Sequence, residues 1–544
     1  MKRGNYGNAA RRRGIRTALI LMLAVIITNL IIPLSLLLAK SVDFQPFWAG
    51  FAKVLSAKTS KTALINSVVI TATAASLSVI AAYFFAYAVE FKLKGRTRSI
   101  FRLIAVLPML VPSITHGIVI VYLFGNMGIF TRLLGVSLDI YGPLGIVMGS
   151  FFYAFPTAFL VFSQAFVTLD GRLYENARVL GVKPARRFFD ILLPMTRYAI
   201  FSAFTVCFTM IFTDYGVPLS VGGTYPILPI LFYKNVVGLL DFSTGAVYSV
   251  FMLTPAVIVY VLDVFVFSRK QVSTKRTTLL DTGKFTPVQK LFFGFLTLVV
   301  AICLSVILFM PFVNNWPYNL APTLKHFALI NNNGKLFKLL FNSLIIALGT
   351  AAFGTVLSFG MGYLYVRDRN NNNRLKNLAH GLYTATLAIP GLALGLAFVL
   401  FFKGSFLYGT FALLIIVNVI HFFGSPYMMT ISHLKLLDPN LEAVCRSLGA
   451  SYLRTLFDVI LPCSRKLLTD VFAYFFTNTM ITISAVSMLY NARTMTLAVQ
   501  ITAFSDQGSW ESAVSVSLII LLINVAVKIT QERKLLCRAE QRRQ

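Results

Sequence analysis

Glu175-Asn176-Ala177-Arg178-Val179-Leu180-Gly181, followed after twelve residues by Pro194, returns later in the chain as Ala443-Val444-Cys445-Arg446-Ser447-Leu448-Gly449, followed at the same distance by Pro462. At a constant offset of 268, nine of the twenty positions from 178 to 197 are identical. They include Arg178/Arg446, Leu180/Leu448, Gly181/Gly449, Phe189/Phe457, Asp190/Asp458, Leu193/Leu461 and Pro194/Pro462. An ungapped match of this density marks a duplication. Each copy is a charged island between long apolar runs. The expected fold is therefore two equivalent halves of membrane-spanning helices, each carrying one polar segment on the same membrane face.

The composition agrees. The 544 residues are 57% hydrophobic and 12% charged, with mean hydropathy +0.76. Soluble domains carry about 25% charged residues. Apolar runs of roughly 20 residues cross a hydrocarbon core as helices, because lipid offers the backbone no hydrogen-bond partner. Hydropathy predicts twelve spans: about 17–39, 62–89, 102–124, 143–168, 195–217 and 244–268 in the first half, then 290–312, 337–366, 379–402, 407–432, 467–489 and 511–530. The fold class is an all-α membrane protein. Its expected domains are a first half, 1–268, a polar cytoplasmic linker, 269–289, and a second half, 290–544. Six spans per half is an even number, so both halves enter the bilayer the same way round, as parallel repeats.

The net charge of +30 has a topological origin. With the N-terminus inside, the inside segments hold 38 of the 49 Lys and Arg residues. That asymmetry places both termini in the cytoplasm. Basic residues spread over seven segments form no nucleic-acid patch. The basic start, Lys2 to Arg16, leads into an apolar run that reads as an uncleaved first span. The five cysteines, Cys207, Cys303, Cys445, Cys463 and Cys537, have no metal-ligand spacing and read as free thiols.

The duplication reaches beyond the polar island. Asn66-Ser67 and Asn342-Ser343 open the second and eighth spans, and Pro112-x4-Gly117 is repeated as Pro390-x4-Gly395. Leu169 to Arg187 has the spacing of a short amphipathic helix. A paired helix of this kind either lies on lipid headgroups or docks a two-lobed partner, and its duplication at fixed spacing favours docking.

The pattern E-x-A-x-x-x-G, a gap, then I/V-x-L-P resembles the cytoplasmic coupling segment of binding-protein-dependent ABC importer permeases, where it docks on an ATP-hydrolysing subunit. The resemblance assigns this role to Glu175, Ala177, Gly181, Leu193 and Pro194 in the first copy, and to Gly449, Leu461 and Pro462 in the second. Ala443 stands where the second glutamate belongs, and Glu442 lies one residue early. Two halves on one chain resemble the fused permeases for ferric iron, thiamine and 2-aminoethylphosphonate. Thr213-Asp214-Tyr215-Gly216-Val217-Pro218 and Ile483-Ser484-Ala485-Val486-Ser487-Met488-Leu489-Tyr490 resemble segments of the iron and aminoethylphosphonate members, and Tyr233-Lys234-Asn235-Val236-Val237-Gly238 leans toward the latter.

The resemblance implies a multi-pass subunit of the bacterial inner membrane, with two ATP-binding subunits and an extracytoplasmic solute-binding protein as partners. No cofactor or metal site is expected on this chain. Nor is it expected to be an enzyme, because no phosphate loop of the G-x4-G-K-[ST] form is present: Gly334-Lys335 is followed by Leu336.

Along the substrate path the candidates are Asp214, Tyr215 and His116. Asp214 would meet a cationic group of the substrate or a basic patch on the binding protein, or cap a helix, and His116 would line the path or bond a carbonyl. Asp263, within the sixth predicted span, is a functional candidate by its position, or a partner of a nearby cytoplasmic Arg. The polar residues of the second span, Asn66, Ser67, Thr71, Thr73, Ser76 and Ser78, suit helix packing. The alternative function is an ion-coupled secondary transporter, which needs intramembrane acids at matched positions in both halves.

Overall fold

Long apolar runs satisfy their backbone internally as helices. The computed structural model describes residues 17, 20–42, 48–135, 138–169, 171–262, 285–331, 334–367, 374–438 and 440–541. In chain order the principal helices are α1 Ile20–Ser41, α2 Lys58–Phe91, α3 Ser113–Phe124, α4 Pro143–Thr168, α5 Arg172–Val179, α6 Leu193–Phe212, α7 Gly216–Val221, α8 Leu228–Tyr233 and α9 Phe242–Leu262. They continue with α10 Pro287–Phe309, α11 Lys335–Arg367, α12 Gly391–Phe402, α13 Phe411–Phe422, α14 Gly424–Leu436, α15 Asn440–Ser447, α16 Arg465–Ile481, α17 Leu497–Asp506 and α18 Trp510–Gln541. The strands are β1 Val313–Asn315 and β2 Asn319–Pro322, an antiparallel hairpin.

Among the described residues, eight helices are long and apolar enough to cross a membrane, or ten if each of two bent pairs is one span. Of the twelve expected spans, the described residues thus give eight as single long helices and two as bent pairs, the sixth is described only to Leu262, and the breaks have local reasons. The ninth breaks at Pro390, where the helix Arg374–Ala385 with its final turn meets α12 at 114°. The proline has no N–H to continue the ladder. The tenth bends by 55° between α13 and α14, at Gly424. The third is divided at Pro108 and Pro112 into the helix Gly95–Val106, a short turn and α3. The eleventh stops at Ile481, where Thr482 becomes extended. Asp263 and most of the 269–289 linker lie outside the described residues. Cys207, Cys303, Cys445 and Cys463 are free thiols.

Contacts divide the chain into two units, 41–336 with 498–521, and 1–40 with 337–497 and 522–544. Packing thus groups α1 with the second sequence half and α10 with the first. In the first of these units Phe293 of α10 packs on Phe85 and Phe101 at 4.8 and 4.9 Å between ring centres. In the other, the Tyr383 hydroxyl donates to the carbonyl of Met22 in α1 at 2.9 Å.

α2 shows what solvent the helices are built for. Ile65, Val68, Val69, Leu77, Ile80 and Phe84 are exposed along one stripe. The opposite face buries Ser67, Thr71, Ala74, Ser78, Ala82 and Glu90 against α4 and its neighbours. Large apolar groups outside and small or polar groups inside suit hydrocarbon and would be wrong in water. Of the polar residues expected to pack, Ser78 donates to Ala74 O at 2.7 Å, whereas Thr73 and Ser76 lie on the exposed face. Phe85, Phe155, Phe159 and Phe162 fill the α2–α4 seam. Glu90 ends that buried face. It pairs with Arg98 and with Arg102, whose Nε is 2.7 Å from its Oε1, and it accepts from Ser163 Oγ at 2.6 Å.

Candidate functional site

The two duplicated segments fold alike. α5 ends at Val179 and Gly181 turns left-handed with φ +72°, while α15 ends at Ser447 and Gly449 has φ +79°. The Val182 N–H donates to Ala177 O and the Ala450 N–H to Cys445 O, 3.0 Å each, the six-to-one bond of a Schellman stop. A Cβ on either glycine would meet nothing within 4 Å. The requirement is the positive φ of the turn, not close packing. The single amphipathic helix expected over 169–187 is therefore two pieces, α5 and the turn Pro184–Arg186, parted at Gly181.

Each segment then enters a widened π turn, Arg187–Leu192 or Leu456–Ile460, directly before Leu-Pro. Pro194 and Pro462 cannot donate to the ladder. The shift in register is carried by Leu193, whose N–H reaches Phe188 O, and by Leu461, whose N–H reaches Leu456 O. The Leu-Pro pair thus marks the junction between the polar segment and the next span in both halves.

The segments display apolar side chains amid Arg and Lys. Leu180 and its repeat partner Leu448 are each 81% exposed, and Phe189 and Phe457 are exposed as well. Ala177 is buried beneath α5, Leu193, Leu461 and Pro462 are half-buried, and Pro194 is exposed. The two glutamates of the expected docking set are not presented alike. Glu175 faces outward, 3.7 Å from Arg178. Glu442 faces inward and is buried, its Oε1 accepting from the Tyr363 hydroxyl at 3.2 Å and lying 3.0 Å from Arg367 Nε. One position along a helix turns a side chain by about 100°, which is why the early glutamate points to the protein rather than away from it.

A second duplicated arrangement follows α6 and α16. In one unit, a Cβ on Gly117 would fall 1.8 Å from Ser220 Oγ and 3.0 Å from Val217 O. In the other, a Cβ on Gly395 would fall 3.0 Å from Ala485 O. The glycine of each Pro-x4-Gly therefore lets its helix lie on the backbone that follows the fifth span of its half. Gly117→Val should cost about 1–3 kcal/mol by overpacking, read as a lower thermal midpoint, with Gly117→Ala intermediate.

Asp214, Tyr215 and His116 come together around this contact. Asp214 Oδ2 accepts from the Val217 N–H at 3.0 Å, capping α7. Tyr215 is buried and stacks on Tyr233 at 5.1 Å. His116 is buried with Nδ1 3.3 Å from Ser113 O and its ring 6.0 Å from that of Tyr153. The capping and carbonyl-bonding roles considered for Asp214 and His116 are thus present in the geometry. Among the described residues no three His, Cys, Asp or Glu gather as a metal site.

The Asn-Ser pairs at the start of the second and eighth spans do more than pack helices: they bond the backbone of distant segments. Asn66 Nδ2 donates to Pro226 O at 3.0 Å, and Ser67 Oγ accepts from Leu228 N at 2.8 Å, at the first residue of α8. Asn342 Nδ2 donates to Arg493 O and Met495 O, and Ser343 Oγ accepts from Leu497 N at 2.8 Å, at the first residue of α17. The repeated Asn-Ser dipeptide was the visible signal for this paired clamp.

One family, described as the binding-protein-dependent transport system inner membrane component, matches the sequence twice, over residues 77–278 and 354–533. The chain belongs to this family. The two matches cover both sequence halves and include both polar segments, so the duplication is one of whole permease domains. The chain is 24% identical over 456 residues to the ferric transport system permease protein FbpB of Actinobacillus pleuropneumoniae, covering 80% of this chain and 66% of that protein. It is 25% identical over 423 residues to a putative ferric transport system permease protein FbpB of Haemophilus influenzae, covering 74% and 66%. It is also 25% identical over 190 residues to the molybdenum transport system permease protein ModB of Mycobacterium tuberculosis, covering 34% and 70%. The chain thus spans just under two-thirds of the length of the two ferric relatives. The apolar helices and the family together make it a multi-pass membrane permease.

Proposed function

We propose that this permease is the membrane-spanning subunit of an ATP-driven importer, and that it passes ferric iron delivered by an external binding protein. The observation that carries the reading is the pair of polar segments, each closed by a left-handed glycine and each displaying an exposed leucine and phenylalanine at matched positions. Exposed apolar groups on a charged segment suit a protein partner. Two of them, on duplicated halves, suit two copies of one partner, an ATP-hydrolysing subunit on the cytoplasmic side. Both termini then lie in the cytoplasm, consistent with the 38 inside Lys and Arg residues. The ATPase biases the permease between inward- and outward-facing states through its different affinity for the two.

Iron is favoured by the names of the two ferric relatives, which match over most of this chain. The test is cellular uptake of labelled ferric iron and labelled 2-aminoethylphosphonate, run in parallel after deleting and restoring the gene. Loss of iron uptake alone, restored with the gene, supports the proposal. Loss of phosphonate uptake with iron unaffected would replace the substrate, and loss of neither would overturn it.

A further inference from the structure

α11 is held at both ends. Near its start, Asn342 donates to the carbonyls of Arg493 and Met495 at 2.8 and 2.9 Å, and Ser343 receives the first N–H of α17. At its last turn, Tyr363 and Arg367 both engage Glu442 of α15. Asn342, Ser343, Tyr363 and Glu442 are buried, and the Arg367 side chain is 8% exposed. Between the two attachments α11 is one unbroken helix without proline. Ser343 and Arg367 are roughly 36 Å apart along it, at the usual rise per residue.

We propose that α11 is a transmission rod of the second half, with the Glu442–Arg367–Tyr363 contact as its latch to the docking helix and Asn342-Ser343 as its grip on the segment entering α17. The proposal rests on the reading of α15 as an ATPase-docking helix. A desolvated ion pair with an added hydroxyl donor holds two helices in one geometry, because separating it strands a charge in a low dielectric. A displacement of α15 therefore moves α11 as a body, and the clamp passes that movement to the backbone at 493–497.

The first half is built differently. α2 carries the same clamp at its start, through Asn66 and Ser67. At its end Phe91 stands where α11 has Arg367, and on α5 Tyr174 stands where α15 has Glu442. Glu90 is committed to Arg98, Arg102 and Ser163, none of them on α5. Among the described residues, the Tyr83 and Tyr87 rings each lie 5.9 Å from Phe188, in the turn that follows α5. Among the described residues, the ion pair that ties α11 to the second docking segment is therefore not repeated at the matching positions of the first.

The experiment uses the full chain with its ATPase and binding protein in proteoliposomes, labelled ferric ion as the probe, and ATP hydrolysed per ion taken up as the readout. Retained ATPase and the thermal midpoint are recorded for each variant. Glu442→Gln, which keeps the shape of the side chain and its bond from Tyr363, should raise the ATP used per ion about tenfold, the scale of a coupling term between sites, with the ATPase still bound. Exchanging the charges, Glu442→Arg with Arg367→Glu, should return the ratio to within about threefold of native, since the pair is restored. Ser343→Ala should shift the ratio in the same direction. Combining Ser343→Ala with Glu442→Gln should add little, because a rod freed at one end transmits no more when freed at the other. An unchanged ratio in Glu442→Gln, no recovery on charge exchange, or multiplying effects in the combined variant would overturn the rod. Failure of the native chain to retain an ATPase would instead refute the docking reading beneath it.

Discussion

Replacing Gly181 and Gly449 together by valine is expected to lower the affinity for the ATPase subunit about a hundredfold while leaving the chain inserted in the membrane. Neither glycine has a neighbour that a Cβ would strike. Both have a φ that a β-branched residue adopts only with strain, +72° and +79°. Left-handed backbone costs an L residue about 1–2 kcal/mol, and two sites together give roughly the stated loss. The strain is relieved by unwinding the Schellman turn, which moves the exposed Leu180 and Leu448 beside it. The checks are the ATPase recovered on purification and the amount of chain in washed membranes. Asparagine at both positions, which tolerates this φ better, should recover most of the binding. Normal ATPase recovery in the valine variant would contradict the docking assignment.

The second large effect concerns Glu90. Its side chain is 1% exposed, whereas those of Arg98 and Arg102 are 23% and 42% exposed. Removing the acid leaves two arginines that can turn toward water. Removing the arginines leaves a buried carboxylate with Ser163 as its one donor among the described residues. Arg98→Met with Arg102→Met should therefore destabilise the protein by about 3 kcal/mol, and Glu90→Gln by clearly less, since an uncompensated buried charge is the costly state. Thermal unfolding in detergent measures both. Equal losses, or a larger loss for Glu90→Gln, would show that the arginines are not what holds this charge in place.

Much of this was legible in the sequence. The duplication, the polar segments, their glycines and the Leu-Pro junctions all depend on local backbone chemistry, and local chemistry is written in local residues. Hydropathy found the apolar runs but not their breaks. Pro390 and Gly424 sit inside runs that are apolar throughout, and a sliding window does not register a missing N–H or a missing side chain. The grouping of α1 with the second half was hidden as well, because an apolar helix carries no label for the neighbour it packs against. Glu442 shows the same limit at one residue. Its displacement from the motif was visible, but its direction depended on Arg367 and Tyr363, which lie on a different helix. The Asn-Ser clamps were visible as a repeat, yet their targets are backbone groups about 150 residues away and leave no side-chain signature.

The central claim is that ATP hydrolysis on a docked partner drives this permease. The most direct test reconstitutes the chain with its ATPase inside vesicles and the binding protein outside, collapses all ion gradients with ionophores, and follows labelled ferric ion in the presence of ATP or a non-hydrolysable analogue. The account predicts uptake with ATP and none with the analogue. Uptake that ignores ATP and follows an imposed proton or sodium gradient would contradict it and establish an ion-coupled transporter instead.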